Sequence, residues 1–380
     1  MKTIGVGTVG YGFMGKMHTY AYKSLSMLYE PAPAAIRLVG VAETSESVAR
    51  LALEQGGYEL STQDYRDLLA REDIDAISCS VPNNLHRDVV VDAIRAGKHV
   101  YVDKPLALGV EHAREIVKVE ADAEAAGIHR TRQMAHNSRY VPALMRAKEL
   151  IGEGRLGRVY TFAIRYLHNS NADPNRPLHW KSDKEICGGG VLVDLGAHII
   201  DLTRFLLGDF KQVCAHPFTM VTERPDGKGG TRTVDTDDAC FVVAELASGA
   251  VGTLEASKLA TGANDELTLD IRGSQGAITF NLMDPNWLKF YDNTRPDSPL
   301  GGEKGFLHIE SVQRYPKPAV LPGPKFSVGW MRFHIASLYE FVRRVAAGEP
   351  GDPSLTDGLA VHRVIDACYR SPGVRTSVED

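Results

Sequence analysis

The sequence predicts two domains, an α/β domain on a parallel, doubly wound sheet and an α+β domain with a large, mostly antiparallel open sheet. In the first third of the 380 residues, short β-branched runs alternate with amphipathic helices, which is the pattern of βαβ units. Beyond about residue 131, the chain changes to strands joined by Gly-containing turns, which favours antiparallel pairing. We therefore expect one domain over residues 1–130 and a second over residues 131–380.

In the first domain, each apolar run is followed by a helical pattern. The predicted strands are Ile4–Val9, Ile36–Ala42, Ile74–Ser80, a short strand at Val100 and Tyr101, and Ile128–Met134. The predicted helices are Met14–Leu28, Val48–Gln55, Leu85–Ala96 and Gly109–Ala126. Because strands and helices alternate, the sheet should be parallel.

The second domain is predicted to be rich in strands and to end in helices. Strands are expected at Val159–Tyr166 and within Ala239–Leu282, and helices at Met331–Ala347 and Asp357–Tyr369. The stretch Asp284–Pro324 is rich in Pro and Gly, and we expect a long loop there.

Composition and charge exclude several classes of protein. The net charge of −5 argues against a nucleic-acid partner, which needs a basic face. No apolar run approaches the roughly 20 residues that span a bilayer, and the N-terminus lacks the pattern of a secretory signal. The five scattered cysteines include no CxxC pair, which argues against a zinc site and fits reduced thiols. We expect a cytoplasmic protein without a metal.

A glycine motif follows the first strand directly. Gly10, Gly12 and Gly15, with Phe13 and Met14 between them, form GxGxxG in the strand–turn–helix context of a Rossmann dinucleotide site. The first glycine permits the tight turn, the second lets the backbone approach a pyrophosphate, and the third allows close helix–strand packing. The alternative is a Gly-rich turn without a ligand, but the position at the start of the fold favours a nucleotide.

An acidic residue at the end of the second strand indicates which dinucleotide binds. Glu43 can accept hydrogen bonds from the adenosine ribose hydroxyls and repel a 2′-phosphate, which favours NAD. Its distance from Gly15 is longer than usual because the Pro-containing insert Tyr29–Ala35 intervenes. Thr44 and Ser45 could donate to a 2′-phosphate, so NADP stays an alternative.

Two groups of residues suggest alcohol oxidation, which needs a base and a charge that stabilises the developing alkoxide. Lys104 ends a strand of the first domain on the carboxyl edge, where ligands bind. Asp194, His198 and Asp201 are spaced i, i+4, i+7, so they share one face of a helix. Asp201 has a structural alternative, a bond to backbone or to an arginine. A metal bound by the Asp/His pair is disfavoured because no third ligand is in sequence reach.

Four further stretches resemble the glucose-fructose oxidoreductase / inositol dehydrogenase / MocA (Gfo/Idh/MocA) family, in order along the chain. Residues 80–86 are similar to its TPNxxH segment and residues 103–105 to its EKP motif. Residues 137–142 are similar to its NxRFxP stretch and residues 188–201 to its GGG-x3-DxGxHxxD segment. Asp103 stands where the family usually has Glu, and Ser138 where Arg is common.

The resemblance implies an NAD(P)-dependent dehydrogenase acting on CH–OH groups of sugars or inositols. Its implied catalytic residues are Lys104, Asp194 and His198, with His198 as the base. Cofactor contacts are expected, besides those of the glycine motif and Glu43, from Pro82, Asn83, His86, Asp103, Lys104 and Asn137. Substrate contacts are expected from Lys104, Tyr166, Trp180, Asp194 and His198.

The substrate prediction rests on the polar, proline-punctuated stretch between Tyr166 and Gly188. Its Asn, Asp, His and Arg side chains can bond many hydroxyls, and Trp180 can pack on a sugar ring. The stretch is most similar to the levoglucosan dehydrogenase branch of the family, so we expect a neutral pyranoside, anhydrosugar or inositol as the substrate. The alternatives are a solvated connector here, and for the whole chain a non-catalytic NAD sensor or a two-domain reductase of an aldehyde or imine.

The second domain is also expected to mediate assembly. Its sheet has two faces, and the sequence supplies too few helices to cover both. We therefore expect the open face to pair with another subunit in a homodimer or homotetramer.

Overall fold

The computed structural model describes residues 2–370 and 372–378, which fold into two compact units. Unit 1 comprises residues 2–140, 315–323 and 329–362, and unit 2 comprises residues 141–314, 324–328 and the described residues from 363 on. The first domain was predicted to end at residue 130, whereas the first segment of unit 1 ends at Tyr140. Residues 131–140 belong to unit 1 because they carry a strand of its sheet, and much of the segment 315–362 belongs to it through a helix that packs on its core.

The helices and strands alternate first and then separate along the chain. The strands are β1 (Thr3–Val9), β2 (Ala35–Ala42), β3 (Leu60–Thr62), β4 (Ala76–Cys79), β5 (His99–Val102), β6 (Arg132–Met134), β7 (Val159–Leu167), β8 (Phe210–Phe218), β9 (Glu223–Pro225), β10 (Thr231–Thr233), β11 (Ala239–Leu246), β12 (Val251–Ser257), β13 (Glu266–Gly273), β14 (Gly276–Asn281), β15 (Trp287–Asp292), β16 (Phe306–Glu310) and β17 (Thr376–Ser377). The α-helices are α1 (Phe13–Leu28), α2 (Glu46–Leu51), α3 (Tyr65–Leu69), α4 (Asn83–Arg95), α5 (Val110–Ala125), α6 (Pro142–Gly152), α7 (Lys184–Cys187), α8 (Ala197–Leu207), α9 (Trp330–Ala347) and α10 (Leu355–Arg370).

Unit 1 is built on a parallel sheet with the strand order β3-β2-β1-β4-β5-β6. Its strands are buried on both faces because helices cover the sheet from two sides. One core cluster joins the sheet to α1 and α9, and another joins it to α3, α4 and α5. The strand order reverses between β1 and β4, and ligands bind outside the carboxyl ends of the strands at such a switch point. The predicted Rossmann domain is confirmed.

Unit 2 is built on a mixed, mostly antiparallel sheet with the order β16-β15-β14-β13-β7-β12-β11-β8-β17. Every neighbouring pair in it is antiparallel except β7 and β12, which run parallel. Burial alternates along β11 and β12, so one face of these strands is buried and the other is open. The predicted α+β fold with a large open sheet is confirmed.

The prediction of one long loop over Asp284–Pro324 was partly wrong. Strands β15 and β16 lie within it and extend the sheet of unit 2 by pairing antiparallel with each other. Apart from Pro285, which lies in the turn before β15, the Pro and Gly residues that suggested a loop lie between the two strands and after β16. The prediction also missed β3, because its three residues give no measurable periodicity.

One helical stretch is longer and more apolar than the sequence analysis allowed. Lys184–Leu207 spans 24 residues and has a window with a mean hydropathy of 1.4. Of that window, 78% is buried inside the protein, as in the core helix of a globular unit. A single stretch of this kind is weak evidence for a membrane.

Candidate active site

The glycine motif of unit 1 has the geometry that a dinucleotide turn requires. Gly10 has a φ of +86°, and its N–H donates to the Ala42 carbonyl over 2.9 Å. A Cβ atom at Gly15 would lie 2.2 Å from the Gly10 oxygen, so only glycine permits this contact of helix and turn. By contrast, a Cβ atom at Gly12 would meet nothing within 4 Å. Helix α1 therefore begins beside open space, with no acidic residue in its first turn.

Glu43 lies beside this turn because it directly follows β2. Its Oε2 accepts the Tyr11 N–H over 2.9 Å, and its Oε1 accepts the Ser45 N–H over 3.1 Å. The two backbone donors fix the carboxylate at the carboxyl edge of the sheet. The hydroxyls predicted as an alternative 2′-phosphate site make local bonds, Thr44 to Glu43 over 3.5 Å and Ser45 to Ser47 over 3.1 Å.

The next site residues follow β4 and β5 at the same edge. Pro82 is the N-cap residue of α4, and Asn83 is its first residue and is buried. The Asp103 N–H donates to the Cys79 carbonyl over 3.0 Å, and the Asp103 Oδ1 accepts the Lys104 N–H over 2.8 Å. The carboxylate that replaces the usual Glu therefore holds the backbone of Lys104, whose side chain is half-buried.

His86 lies deeper than the other residues of this edge. Its side chain is 1% exposed, and its two ring nitrogens lie 2.8 Å from the Pro105 oxygen and 2.9 Å from the Val81 oxygen. Burial lowers the pKa of His86. This geometry suits a residue that ties the start of α4 to the segment after Lys104, so we expect His86 to support the cofactor site from behind.

Asn137 follows β6 in a short 3-10 turn and is also buried. Within the described part of the chain, its Oδ1 is buried without a hydrogen-bond partner. A buried amide oxygen is costly unless a partner satisfies it. Asn137 therefore suits a ligand that brings a donor to this edge of the sheet.

In unit 2, a carboxylate holds the glycine-rich segment that precedes Asp194. Asp237 accepts the N–H groups of Gly190 and Leu192, each over 2.9 Å, and the Tyr369 hydroxyl over 2.5 Å. A Cβ atom at Gly190 would lie 2.1 Å from the Asp237 backbone oxygen. The glycines are thus needed because this segment passes directly against another strand end.

Asp194 lies in a π-helical turn, Leu192–Gly196, that leads into α8. Two ammonium groups hold its carboxylate: Lys181 Nζ lies 2.9 Å from Oδ1, and Lys258 Nζ lies 2.9 Å from Oδ2. The Lys258 side chain is 8% exposed, whereas that of Lys181 is 40% exposed. The carboxylate is therefore fixed from one side by a buried cation and from the other by a more accessible one.

His198 packs edge-on against Tyr166, with ring centroids 5.5 Å apart. The Tyr166 hydroxyl donates to Asp265 Oδ1 over 2.6 Å, and His168 Nε2 lies 3.0 Å from the same oxygen. Burial, and then the nearby Asp265 carboxylate, raise the pKa of Tyr166 well above its usual value. Tyr166 therefore stays a neutral hydrogen-bond donor across the physiological range.

The polar stretch after Tyr166 is a loop, and a buried arginine fixes it. Arg224 donates to the carbonyls of Asp173 over 2.7 Å and Asn171 over 2.6 Å, and its side chain is 2% exposed. The loop ends at Trp180, and the Lys181 ammonium lies 5.6 Å from the centre of the Trp180 ring. Because Lys181 also bonds Asp194, Trp180 is held near the carboxylate.

Within unit 2, the structure thus brings Tyr166, Trp180, Asp194 and His198 into one cluster. Asp201 lies further along α8 and is 1% exposed, which favours its structural interpretation. Lys258, Asp265 and the role of Lys181 were not predicted from the sequence. Lys258 follows β12 and Asp265 precedes β13, and both strands have these ends beside the end of β7.

No group of three or more His, Cys, Asp or Glu residues that could hold a metal ion occurs in the described residues.

Comparisons with known proteins agree with this architecture. An oxidoreductase family with an NAD-binding Rossmann fold matches residues 4–128, and the GFO/IDH/MocA C-terminal domain matches residues 144–279. The levoglucosan dehydrogenase of Pseudarthrobacter phenanthrenivorans is 33% identical over 393 residues, covering 100% of this chain and 98% of that protein. This chain belongs to the Gfo/Idh/MocA oxidoreductase family. The predicted family, enzyme class and cofactor, NAD, are thereby confirmed.

Other proteins are similar to this chain over all or nearly all of their length. The inositol 2-dehydrogenase of Rhizobium meliloti is 27% identical and covers 97% of each chain. A structure of levoglucosan dehydrogenase in complex with NADH and L-sorbose has a TM-score of 0.94 at 33% identity, and covers 100% of each chain. An oxidoreductase domain protein from Kribbella flavida has a TM-score of 0.94 at 32% identity, again over 100% of each chain.

The residues of unit 1 fit NAD. The open space at Gly12 and the start of α1 suit a pyrophosphate, and the carboxylate of Glu43 suits a ribose with free hydroxyls. The unpaired oxygen of Asn137, buried among the described residues, suits a donor such as a carboxamide N–H.

Proposed function

We propose that this enzyme transfers hydride between NAD and a secondary hydroxyl of a neutral sugar, anhydrosugar or cyclitol. The observation that carries the proposal is the cluster of unit 2, in which a fixed carboxylate, a histidine and a neutral tyrosine lie at the end of a polar loop. Such a cluster offers hydrogen-bond acceptors and donors for a polyol. The names of similar proteins, levoglucosan dehydrogenase and inositol 2-dehydrogenase, support this substrate class.

The proposed roles follow from the chemistry of an alcohol oxidation. Bound NAD supplies the hydride acceptor. The His198 imidazole takes the hydroxyl proton, because an imidazole nitrogen can act as a general base. The Lys104 ammonium stabilises negative charge that develops on the substrate oxygen. Asp194 accepts a hydrogen bond from a neighbouring substrate hydroxyl, and its ion pairs with Lys181 and Lys258 keep its oxygens in place.

Charge supports an uncharged substrate. Lys258 and Lys181 both pair with Asp194, and Arg224 bonds loop carbonyls. Arg176 bonds the Ser170 carbonyl within the same loop. These four cations are therefore committed to protein groups, and none of the four is arranged in the bidentate manner that recognises a phosphate or carboxylate. A neutral polyol needs only the hydrogen bonds that remain.

The test is a substrate screen with the purified enzyme and NAD, read as NADH absorbance. We expect turnover of levoglucosan, other pyranosides or inositols, and its loss in His198→Ala. NADH fluorescence serves as the control, because this variant should bind the cofactor as wild type does. Turnover confined to phosphorylated sugars or amino-acid aldehydes would refute the proposal. NADH binding without turnover of any alcohol would favour the non-catalytic sensor.

We also propose that the enzyme is a cytoplasmic homodimer or homotetramer that pairs through the open face of the sheet of unit 2. The exposed side chains on this face include Phe218 (41% exposed), Phe241 (45%), Val243 (53%) and Val251 (42%). Contiguous apolar groups of this kind mark association surfaces. Light scattering at micromolar concentration should show a dimer or tetramer, and Val243→Lys with Phe241→Lys should dissociate it. A monomeric wild-type protein would contradict this proposal.

A further inference from the structure

Three aromatic rings form a row beside the glycine turn of unit 1. The centroids of Phe13 and Trp330 lie 5.6 Å apart with planes tilted by 36°, and those of Trp330 and His334 lie 4.3 Å apart. Phe13 is the first residue of α1, and Trp330 is the first residue of α9. The sequence pattern around Trp330 gave no sign of this neighbour.

Packing of α9 on α1 fixes the position of Trp330. Leu25 of α1 and Leu338 and Phe341 of α9 belong to one buried core, and Trp330 packs against that core as a partly buried residue. His334 is buried behind it. Phe13 differs, because its side chain is 74% exposed and rests on Trp330. One ring of the pair is therefore anchored in the core, and the other lies at the surface.

The surface ring adjoins the glycine at which a dinucleotide is expected to bind. Phe13 directly follows Gly12, the position at which the backbone is open for close approach. The pyrophosphate of a dinucleotide binds at this glycine and at the start of the following helix. Of the two aromatic residues that adjoin Gly12, Tyr11 is buried and Phe13 is exposed, and Trp330 limits the directions in which the Phe13 ring can turn.

We propose that Phe13 and Trp330 form an aromatic wall that slows the release of bound dinucleotide, with Trp330 acting as the positioning residue for Phe13. A ring that is already held by another ring loses less conformational freedom when it covers a ligand. Aromatic pairs also contribute attraction beyond the area that they bury. The pair should therefore act chiefly on the rate of cofactor dissociation. This inference concerns NAD and is independent of the proposed substrate.

The first experiment measures NADH dissociation by stopped-flow displacement with excess NAD. We expect Phe13→Ala and Trp330→Ala each to release NADH roughly three- to tenfold faster than wild type, the range that an aromatic pair supports. The double variant should be little faster than either single variant, because both changes remove the same wall. Trp287→Ala is the control: Trp287 is an exposed tryptophan on β15 of unit 2, and its loss should leave the rate unchanged.

A second set of variants distinguishes an effect of the Phe13–Trp330 ring pair on the cofactor from a general loss of packing of α9. Trp330→Phe retains an aromatic ring and should restore slow release, whereas Trp330→Leu should not. Energy transfer from tryptophan to bound NADH should fall in Trp330→Phe and not in Trp287→Phe. Phe13→Ala should keep the thermal midpoint of wild type because its ring is exposed. Wild-type release rates in Phe13→Ala, or additive effects in the double variant, would overturn the proposal.

Discussion

Replacing Lys258 by Met tests whether the buried ion pair holds Asp194. Methionine keeps most of the length of the side chain and removes the charge. The two groups are 2.9 Å apart, with side-chain exposures of 8% for Lys258 and 15% for Asp194. Removing one partner of a buried pair costs about 3–5 kcal/mol when the other charge stays unpaired. Asp194 keeps Lys181, so we expect about 2 kcal/mol, which is the contribution of one hydrogen bond to a charged group.

The assay is thermal unfolding followed together with steady-state kinetics. A loss of about 2 kcal/mol lowers the midpoint by about 4–8 °C for a unit of ordinary domain size. The value of kcat/KM should fall by roughly tenfold or more, because a carboxylate that is no longer fixed orients the substrate less well. Lys181→Met is the matched control. Its ion pair is half-exposed and should contribute less than about 1 kcal/mol. Equal midpoints for the two variants, or a fully stable Lys258→Met, would refute this reasoning.

Four further predictions concern cofactor choice, chemistry, pH and the glycine segment. Glu43→Ala should narrow the preference for NAD over NADP in steady-state kinetics, because the charge that repels a 2′-phosphate is lost; a wild-type preference for NADP would contradict this. Lys104→Met and His198→Ala should each lower kcat by roughly 10²-fold or more while NADH still binds by fluorescence. Burial lowers the pKa of His362 to about 4, so as pH falls from 6.5 towards 4 the unfolded chain takes up a proton that the folded chain does not. Folding stability should thus fall by up to about 3 kcal/mol over that window, and denaturant titrations of His362→Gln should show a smaller fall. Gly190→Ala should lower both the thermal midpoint and kcat, because its Cβ would lie 2.1 Å from the Asp237 backbone oxygen; wild-type values of both would show that the segment can move.

Much of unit 1 could be predicted from short stretches of sequence, because the residues that form each of its main features are close together along the chain. The strand Ile4–Val9, the glycine motif and the helix after it are contiguous, so one window of sequence contains the entire turn. Glu43 was placed correctly at the end of a strand, and the structure adds the backbone donors that hold it. Periodicity over long helices such as α5 gave their ends to within a residue or two.

The cluster of unit 2 could be predicted only in part, because its members come from distant elements. The spacing of Asp194 and His198 was visible in one helix, but the partners of Asp194 were not. Lys258 reaches it because β12 runs parallel to β7, and nothing local in either strand distinguishes a parallel pair from an antiparallel one. Trp330 was missed for the same reason, since its neighbour Phe13 belongs to the first helix of the chain.

The parallel pairing of β7 and β12 also affects how the protein reaches its active form. The chain between these strands includes α7, α8, β8 and β11, so their pairing closes a large loop, and we expect it to form late in folding. Lys258, which follows β12, comes beside the end of β7 only after that closure. A chain in which β7 and β12 are not yet paired lacks this arrangement around Asp194, so we expect the appearance of dehydrogenase activity during refolding to report completion of the second unit rather than collapse of the first.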